Sequence, residues 1–251
     1  MSNRRTFIKT SSVAAAGIAA VPFHRSAETN IHYFQAAVPD NLTILLQGDS
    51  ITDAGRDRGA YYANDGRGMG NGYAYQIVAE MLGKNPGKGY RFYNRGISGN
   101  KVYQLADRWE DDAIQLNPDV LSILIGVNDF WHTLSSGFKG TAETYADDYR
   151  MLLDRTRKAL PDIKLLIGEP FAVRDGTAIN DSWYPEFNKY QSAAKKIAKD
   201  YAAAFIPYQQ VFNDALKKAP AVYWCPDGVH PSIAGAFLMK EAWIEAFNKL
   251  F

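Results

Sequence analysis

From residue 42 onward the chain alternates short apolar or β-branched runs with longer stretches of helical period. That alternation leaves few folds open, because strands separated by helix-length segments pair in parallel, through crossovers. Leu42-Thr43-Ile44-Leu45-Leu46 reads as the first strand, and residues 73–82 as a helix that stops at Gly83. Arg91-Phe92-Tyr93 is a weaker second strand. Residues 102–116 read as a helix ended by Asn117-Pro118, and Val120-Leu121-Ser122-Ile123-Leu124-Ile125 suits a central strand covered on both faces. Residues 141–160 place Tyr145, Tyr149, Leu152, Leu153 and Leu160 on one helical face, with Thr141 as N-cap and Glu143 where the helix dipole favours a negative charge. Residues 163–167 form a fourth strand, residues 185–204 a helix with a Lys-rich outer face, and Phe205-Ile206-Pro207 a short peripheral fifth strand. Ser232 opens a last helix whose Ile233, Phe237, Ile244, Phe247 and Phe251 are expected to pack back on the sheet. The expected fold class is α/β: a three-layer α/β/α sandwich around a parallel sheet of about five strands.

The first residues have a different grammar. Arg4-Arg5 leads into the apolar run Val13-Ala14-Ala15-Ala16-Gly17-Ile18-Ala19-Ala20-Val21, closed by Pro22, so residues 1–25 read as a twin-arginine-type export signal. The run is about nine residues long, whereas a bilayer takes roughly 20, so no stable membrane span is expected. An Ala-rich amphipathic helix that stays attached is the alternative. Residues 26–39 read as spacer and residues 40–251 as the folded domain, placed by such a signal in the periplasm or outside the cell. His24 and His32 precede that domain and are expected to be idle. Cys225 is the single cysteine, so it has no internal disulfide partner and is expected to pack.

With 28 basic against 27 acidic residues the net charge is +1, which supplies no broad attraction to nucleic acid or acidic membranes. The expected partner is a small or neutral molecule; a homo-oligomer is left open. The sequence holds no H-E-x-x-H, no Cys/His cluster and no G-x-x-x-x-G-K-[ST], so neither a metal nor a phosphate-bearing cofactor is implied.

In an open parallel sheet the functional crevice lies beyond the carboxyl ends of the strands, and four loops with reactive side chains fall there. They are Gln47-Gly48-Asp49-Ser50-Ile51-Thr52, Asn94-Arg95-Gly96-Ile97-Ser98-Gly99-Asn100, Gly126-Val127-Asn128-Asp129, and Cys225-Pro226-Asp227-Gly228-Val229-His230-Pro231-Ser232. A serine hydroxyl becomes a nucleophile when a base takes its proton, and that base works best with a carboxylate on its other nitrogen. Ser50, His230 and Asp227 supply these parts, with Asp227 and His230 close enough in sequence to meet in one turn. A tetrahedral intermediate also needs donors at its oxyanion, for which a glycine-loop N–H at Gly96 and the amide of Asn128 are suited. Asp49 and Asp129 are expected to brace their turns. His132 reads as a surface histidine, with a place in the pocket lining as the alternative because it lies close to Asn128 in sequence.

Together these segments resemble the SGNH, or GDSL, hydrolase family along nearly the whole chain after the leader. The resemblance implies a flavodoxin-like fold, Ser50 as nucleophile, Asp227 and His230 as its partners, and an oxyanion held by the N–H groups of Ser50 and Gly96 with the amide of Asn128. Ile51 stands where the family name has leucine. A narrower likeness, carried by residues 48–56, 96–100, 108–112 and 126–131, is to the branch that includes bacterial xylan acetylesterases. It implies hydrolysis of O-acetyl groups on oligosaccharides or polysaccharides. Trp131 and Tyr61-Tyr62 read either as surfaces for sugar rings or as core packing. A lysophospholipase or thioesterase remains the alternative within the same chemistry. An acyltransferase and a non-catalytic carbohydrate-binding envelope protein are the others.

Overall fold

In the computed structural model, which describes residues 37–251, the first apolar run becomes strand β1 (Thr43–Gly48), with every residue buried. It passes directly into a one-turn helix α1 (Ser50–Asp53) and, after a long loop, into α2 (Tyr73–Lys84). There follow β2 (Arg91–Asn94), α3 (Val102–Asp107), β3 (Val120–Leu124), α4 (Val127–Ser135), α5 (Ala142–Ala159) and β4 (Lys164–Gly168). The chain closes with α6 (Phe187–Asp200), β5 (Ala204–Ile206), α7 (Tyr208–Leu216), α8 (Ala221–Trp224) and α9 (Ile233–Asn248).

All four strand pairings are parallel and the order is β2-β1-β3-β4-β5. The adjacent strands β1 and β3 in the interior of this order are mostly apolar, with Thr43, Gln47 and Ser122 as exceptions, and covered on both sides, whereas β2 alternates exposed and buried positions as an edge strand does. Right-handed crossovers then put α3, α5 and α6 on one face and α2 and α9 on the other, and the packing of α3 on α5, α5 on α6 and α2 on α9 agrees. Gly48 lies level with Leu124, and Leu124 with Gly168, so β1, β3 and β4 end on one line. The loops that follow them leave from a common edge.

The core is rich in rings. Trp109 and Trp243 are fully buried, and each indole N–H finds a hydroxyl, Thr156 Oγ1 and Ser122 Oγ respectively, both at 2.9 Å. Trp109 also explains a departure from expectation. The helix expected over residues 102–116 breaks after Asp107 and resumes as one wide turn over Glu110–Ile114. At the break Trp109 enters the core while Arg108 turns to the loops, where it donates to the backbone of Arg95 (2.9 Å), to Asn100 Oδ1 (3.1 Å) and to Asp112.

Four helices were not foreseen: the single turn α1, α4, which starts three residues after the end of β3, and α7 and α8 between β5 and the last loop. The last helix is capped as expected, Ser232 Oγ accepting from Gly235 N at 3.2 Å, but its first turn does not reach the sheet. Ile233 is 82% and Phe237 49% exposed, and the buried stripe is instead Ala236, Met239, Trp243, Ala246 and Phe247. A helix of period 3.6 cannot point Ile233 and Trp243 the same way. Residues 1–36, with the expected export signal and most of the spacer, lie outside the described residues. Among the described residues no helix is long and apolar enough to cross a membrane.

Candidate active site

The turn after β1 is built so that a serine begins a helix at the sheet edge. A Cβ on Gly48 would fall 2.3 Å from the carbonyl oxygen of Leu124, so β1 can lie this close to β3 only with glycine at its end. Asp49 is the N-cap, its Oδ1 accepting from Ile51 N at 3.0 Å, and its backbone oxygen accepts from Asp53 N at 2.8 Å. Ser50 is therefore the first residue of α1, half-buried.

His230 arrives from the other end of the chain. Asp227 Oδ1 accepts from the backbone N–H groups of Val229 (2.8 Å) and His230 (2.7 Å), which folds the loop into a tight turn and leaves Oδ2 facing the imidazole. Gly228, at φ +89°, lets the turn press against residues 173–179, where Val173 N donates to Gly228 O at 2.7 Å and Ala178 N to Asp227 O at 2.9 Å.

The two ends meet. Ser50 Oγ lies 2.8 Å from His230 Nε2, and His230 Nδ1 lies 2.6 Å from Asp227 Oδ2. The consistent proton assignment has the hydroxyl donating to Nε2 and Nδ1–H donating to the carboxylate. Burial disfavours the Asp227 carboxylate, but the His230 ring and two backbone N–H groups outweigh it and hold its pKa at about 2. The same hydrogen bond from the ring to Asp227 lifts the imidazole above its ordinary range, against the smaller opposing effect of burial. The base is stabilised in its protonated form, which is what accepting a proton from serine requires.

Beside this row a cleft of roughly 220 Å³ is lined by Ser50, Ala54, Gly72, His230, Pro231 and Ala236 among others. Ile51, Asn71 and Tyr73 complete its walls. A larger hollow of roughly 490 Å³ lies at the opposite ends of the strands, around Pro39, Asn117, Pro161 and Phe251, away from these groups. Trp131 is half-buried on α4, its ring 6.4 Å from that of His230 and 5.8 Å from that of Trp183. Tyr61 and Tyr62 are exposed, and Tyr61 lies under the Arg95 guanidinium at 5.1 Å.

The donors expected at the oxyanion differ in their hydrogen bonding. Asn128 is buried in the first turn of α4, its amide tied to Asn100 O at 3.2 Å, which leaves a second N–H. Ser50 N–H has no acceptor among the described residues. Gly96 N–H, in contrast, is occupied: Asn94 Oδ1 accepts it at 2.9 Å. The Gly96 Cα is pressed on α1, where a Cβ would fall 2.5 Å from Asp53 N, so this glycine serves close packing. The N–H left without an acceptor among the described residues belongs to Gly99, at φ +81°, in the turn closed by Asn100 N on Ile97 O at 3.1 Å. That third position of a turn with positive φ was the signal for Gly99 in the sequence. Nothing there told which glycine N–H would be taken by a neighbour.

Asp53 holds this turn. Its Oδ2 accepts from Ser98 N (2.9 Å), Ser98 Oγ (2.8 Å) and Arg58 Nη2 (2.8 Å), while Arg56 Nε donates to Gly96 O at 2.8 Å. Asp49 and Asp129 are fully buried and each leaves Oδ2 without a partner. Burial raises both to about 7, opposed at Asp49 by the Ile51 N–H and at Asp129 by the Val102 N–H. Cys225 is buried, as expected, and burial pushes its thiol up. His132 is half-buried rather than on the open surface, and burial followed by the charge of Lys101 lowers it.

The model of the GDSL-like lipase/acylhydrolase family matches residues 46–236. Among curated proteins, an acetylxylan esterase from Geobacillus stearothermophilus is 34% identical over 205 residues, 80% of this chain and 91% of the relative. Among solved structures, a protein from Parabacteroides merdae described as a GDSL-like lipase is 48% identical with a TM-score of 0.83, covering 85% of this chain and 98% of its own. A structure of an acetylxylan esterase from Geobacillus stearothermophilus is 30% identical with a TM-score of 0.75, covering 83% and 95%.

Proposed function

The chain belongs to the GDSL-like lipase/acylhydrolase family, and within it we propose an esterase that removes acetyl groups from xylooligosaccharides. The observation that carries this reading is the row Ser50–His230–Asp227, closed at 2.8 and 2.6 Å beside a cleft of small volume. Ser50 Oγ attacks the ester carbonyl as His230 Nε2 takes its proton; the imidazolium, steadied by Asp227, then protonates the departing sugar hydroxyl. Water, activated by the same ring, clears the acyl-enzyme. Ser50 N–H, Gly99 N–H and the free Asn128 N–H are the donors available to the negative oxygen of the intermediate. A cleft of roughly 220 Å³ suits a short acyl group, being below the ~300 Å³ at which pockets for larger ligands begin. Trp131 offers a ring face to the sugar.

The test is acetate release from acetylated xylooligosaccharides, set beside acetylated pectin and chitin fragments and a series of p-nitrophenyl esters. Ser50→Ala should abolish release from every substrate. A preference for long-chain esters over acetate would overturn the acetylesterase reading, and wild-type turnover by Ser50→Ala would overturn the nucleophile.

Export through a twin-arginine route is part of the proposal, supported by Arg4-Arg5 ahead of the Ala-rich run. A reporter fused behind residues 1–39 should leave the cytoplasm, and Arg4→Lys with Arg5→Lys should retain it. Export that persists in the double variant would sink this reading.

A further inference from the structure

Lys101 ends the loop that begins at Gly96 and stands one residue before α3. It is only 7% exposed, yet among the described residues no carboxylate pairs with its ammonium and no oxygen accepts from it. Its neighbours are rings. Nζ lies 4.9 Å from the centre of Phe138 and 5.8 Å from that of Tyr103, and those two rings stack on each other at 6.0 Å with 22° between their planes. Phe138 is fixed there by the turn after α4, where its N–H donates to His132 O at 3.1 Å, and by Gly140, whose missing Cβ would fall 2.2 Å from the ring.

Backbone contacts place this cage next to the site. Asn100 O, one residue earlier, accepts the Asn128 amide, and Val102 N, one residue later, donates to Asp129 Oδ1 at 3.1 Å. Asp129 is held by the backbone and forms no ion pair with Lys101, whose charge favours its ionised form only from a distance. Trp131 and His132 follow on α4, and no atom of the His132 ring is hydrogen-bonded among the described residues. The ammonium keeps contact with solvent beside the two ring faces, which offer no lone pair along its N–H bonds. A carboxylate would complete the arrangement, and the exposed face of Tyr103 beside it suits a sugar ring.

We propose that Lys101, His132, Tyr103 and Phe138 form a subsite for a uronic-acid unit carried by the acetylated oligosaccharide. The proposal rests on the esterase reading above and adds to it a class of substrate, acidic rather than neutral xylan fragments.

The experiment compares kcat/KM for acetylated xylooligosaccharides of equal length with and without a uronic-acid side group, each normalised to p-nitrophenyl acetate hydrolysis by the same protein. The wild type should favour the acidic substrate by about tenfold, and the preference should shrink as salt rises from about 0.05 to about 0.5 M. Lys101→Gln should bring the ratio near one, and Lys101→Arg should keep most of it. Equal rates on both substrates in the wild type, or a preference that survives Lys101→Gln, would overturn the subsite. Failure to release acetate from either sugar would instead overturn the esterase reading.

Discussion

At the scale of single residues, the reach of His230 depends on Asp227. The imidazole is lifted mainly by its bond to that carboxylate, so its base form appears only above a raised pKa, and the acid limb of kcat/KM against pH should lie above the usual histidine value. Asp227→Asn removes the cause, so the limb should move to lower pH while kcat falls by roughly 10³–10⁴. A pH–rate profile of both proteins checks the sign; a limb that stays in place would show that Asp227 does not set it. Asn128 can be weighed in the same way. Asn128→Ala should cost about 10²–10³ in kcat, or ~3–4 kcal/mol, with little change in KM, because an oxyanion donor acts in the transition state. Steady-state kinetics on p-nitrophenyl acetate read this directly.

At the scale of elements, the site is held by side chains that never meet substrate. Asp53, on α1, ties the turn at residues 97–100 through both hydrogen-bond donors of Ser98. Burial opposes its ionisation, but bonds from Arg58 and Ser98 keep it below the ordinary carboxylate range. Asp53→Ala should release the turn: faster amide exchange at Ser98, Gly99 and Asn100, and kcat down by about ten- to a hundredfold as the donors lose position. Unchanged exchange at those three amides would refute the tether. The break between α3 and the wide turn over Glu110–Ile114 belongs to the same scale, since it frees Arg108 to bind the loop at Arg95 and Asn100.

For the molecule as a whole, Asp49 and Asp129 set a pH dependence of stability. Both have folded pKa values raised to about 7, well above their unfolded values. Between about pH 4 and pH 7 the unfolded chain ionises these groups while the folded protein keeps them protonated, so they disfavour folding increasingly as pH rises through that window. Asp129→Asn carries no such term. Its Tm should fall less than that of the wild type between pH 5 and pH 8, and thermal unfolding at the two pH values tests it. An equal fall in both proteins would mean that Asp129 is ionised in the fold.

How much of this was written in residue order differs by kind of feature. The parallel sheet was legible because its inner strands are mostly apolar, and the loops bearing Ser50, Asn128 and His230 were legible because such loops must open on the carboxyl edge. Helices α7 and α8 escaped because they are short and lie between clearer signals. The outward turn of Ile233 and Phe237 escaped because apolar content does not state which way a helix faces. That the Asn94 side chain accepts from Gly96 N–H, and that Lys101 meets the ring of Phe138, a residue far along the chain, could not be read from neighbours in sequence. Periodicity and turn chemistry are local and can be read from neighbours in the sequence. Which donor is already satisfied, and which charge is left without a partner, are sums over atoms that only folding brings together.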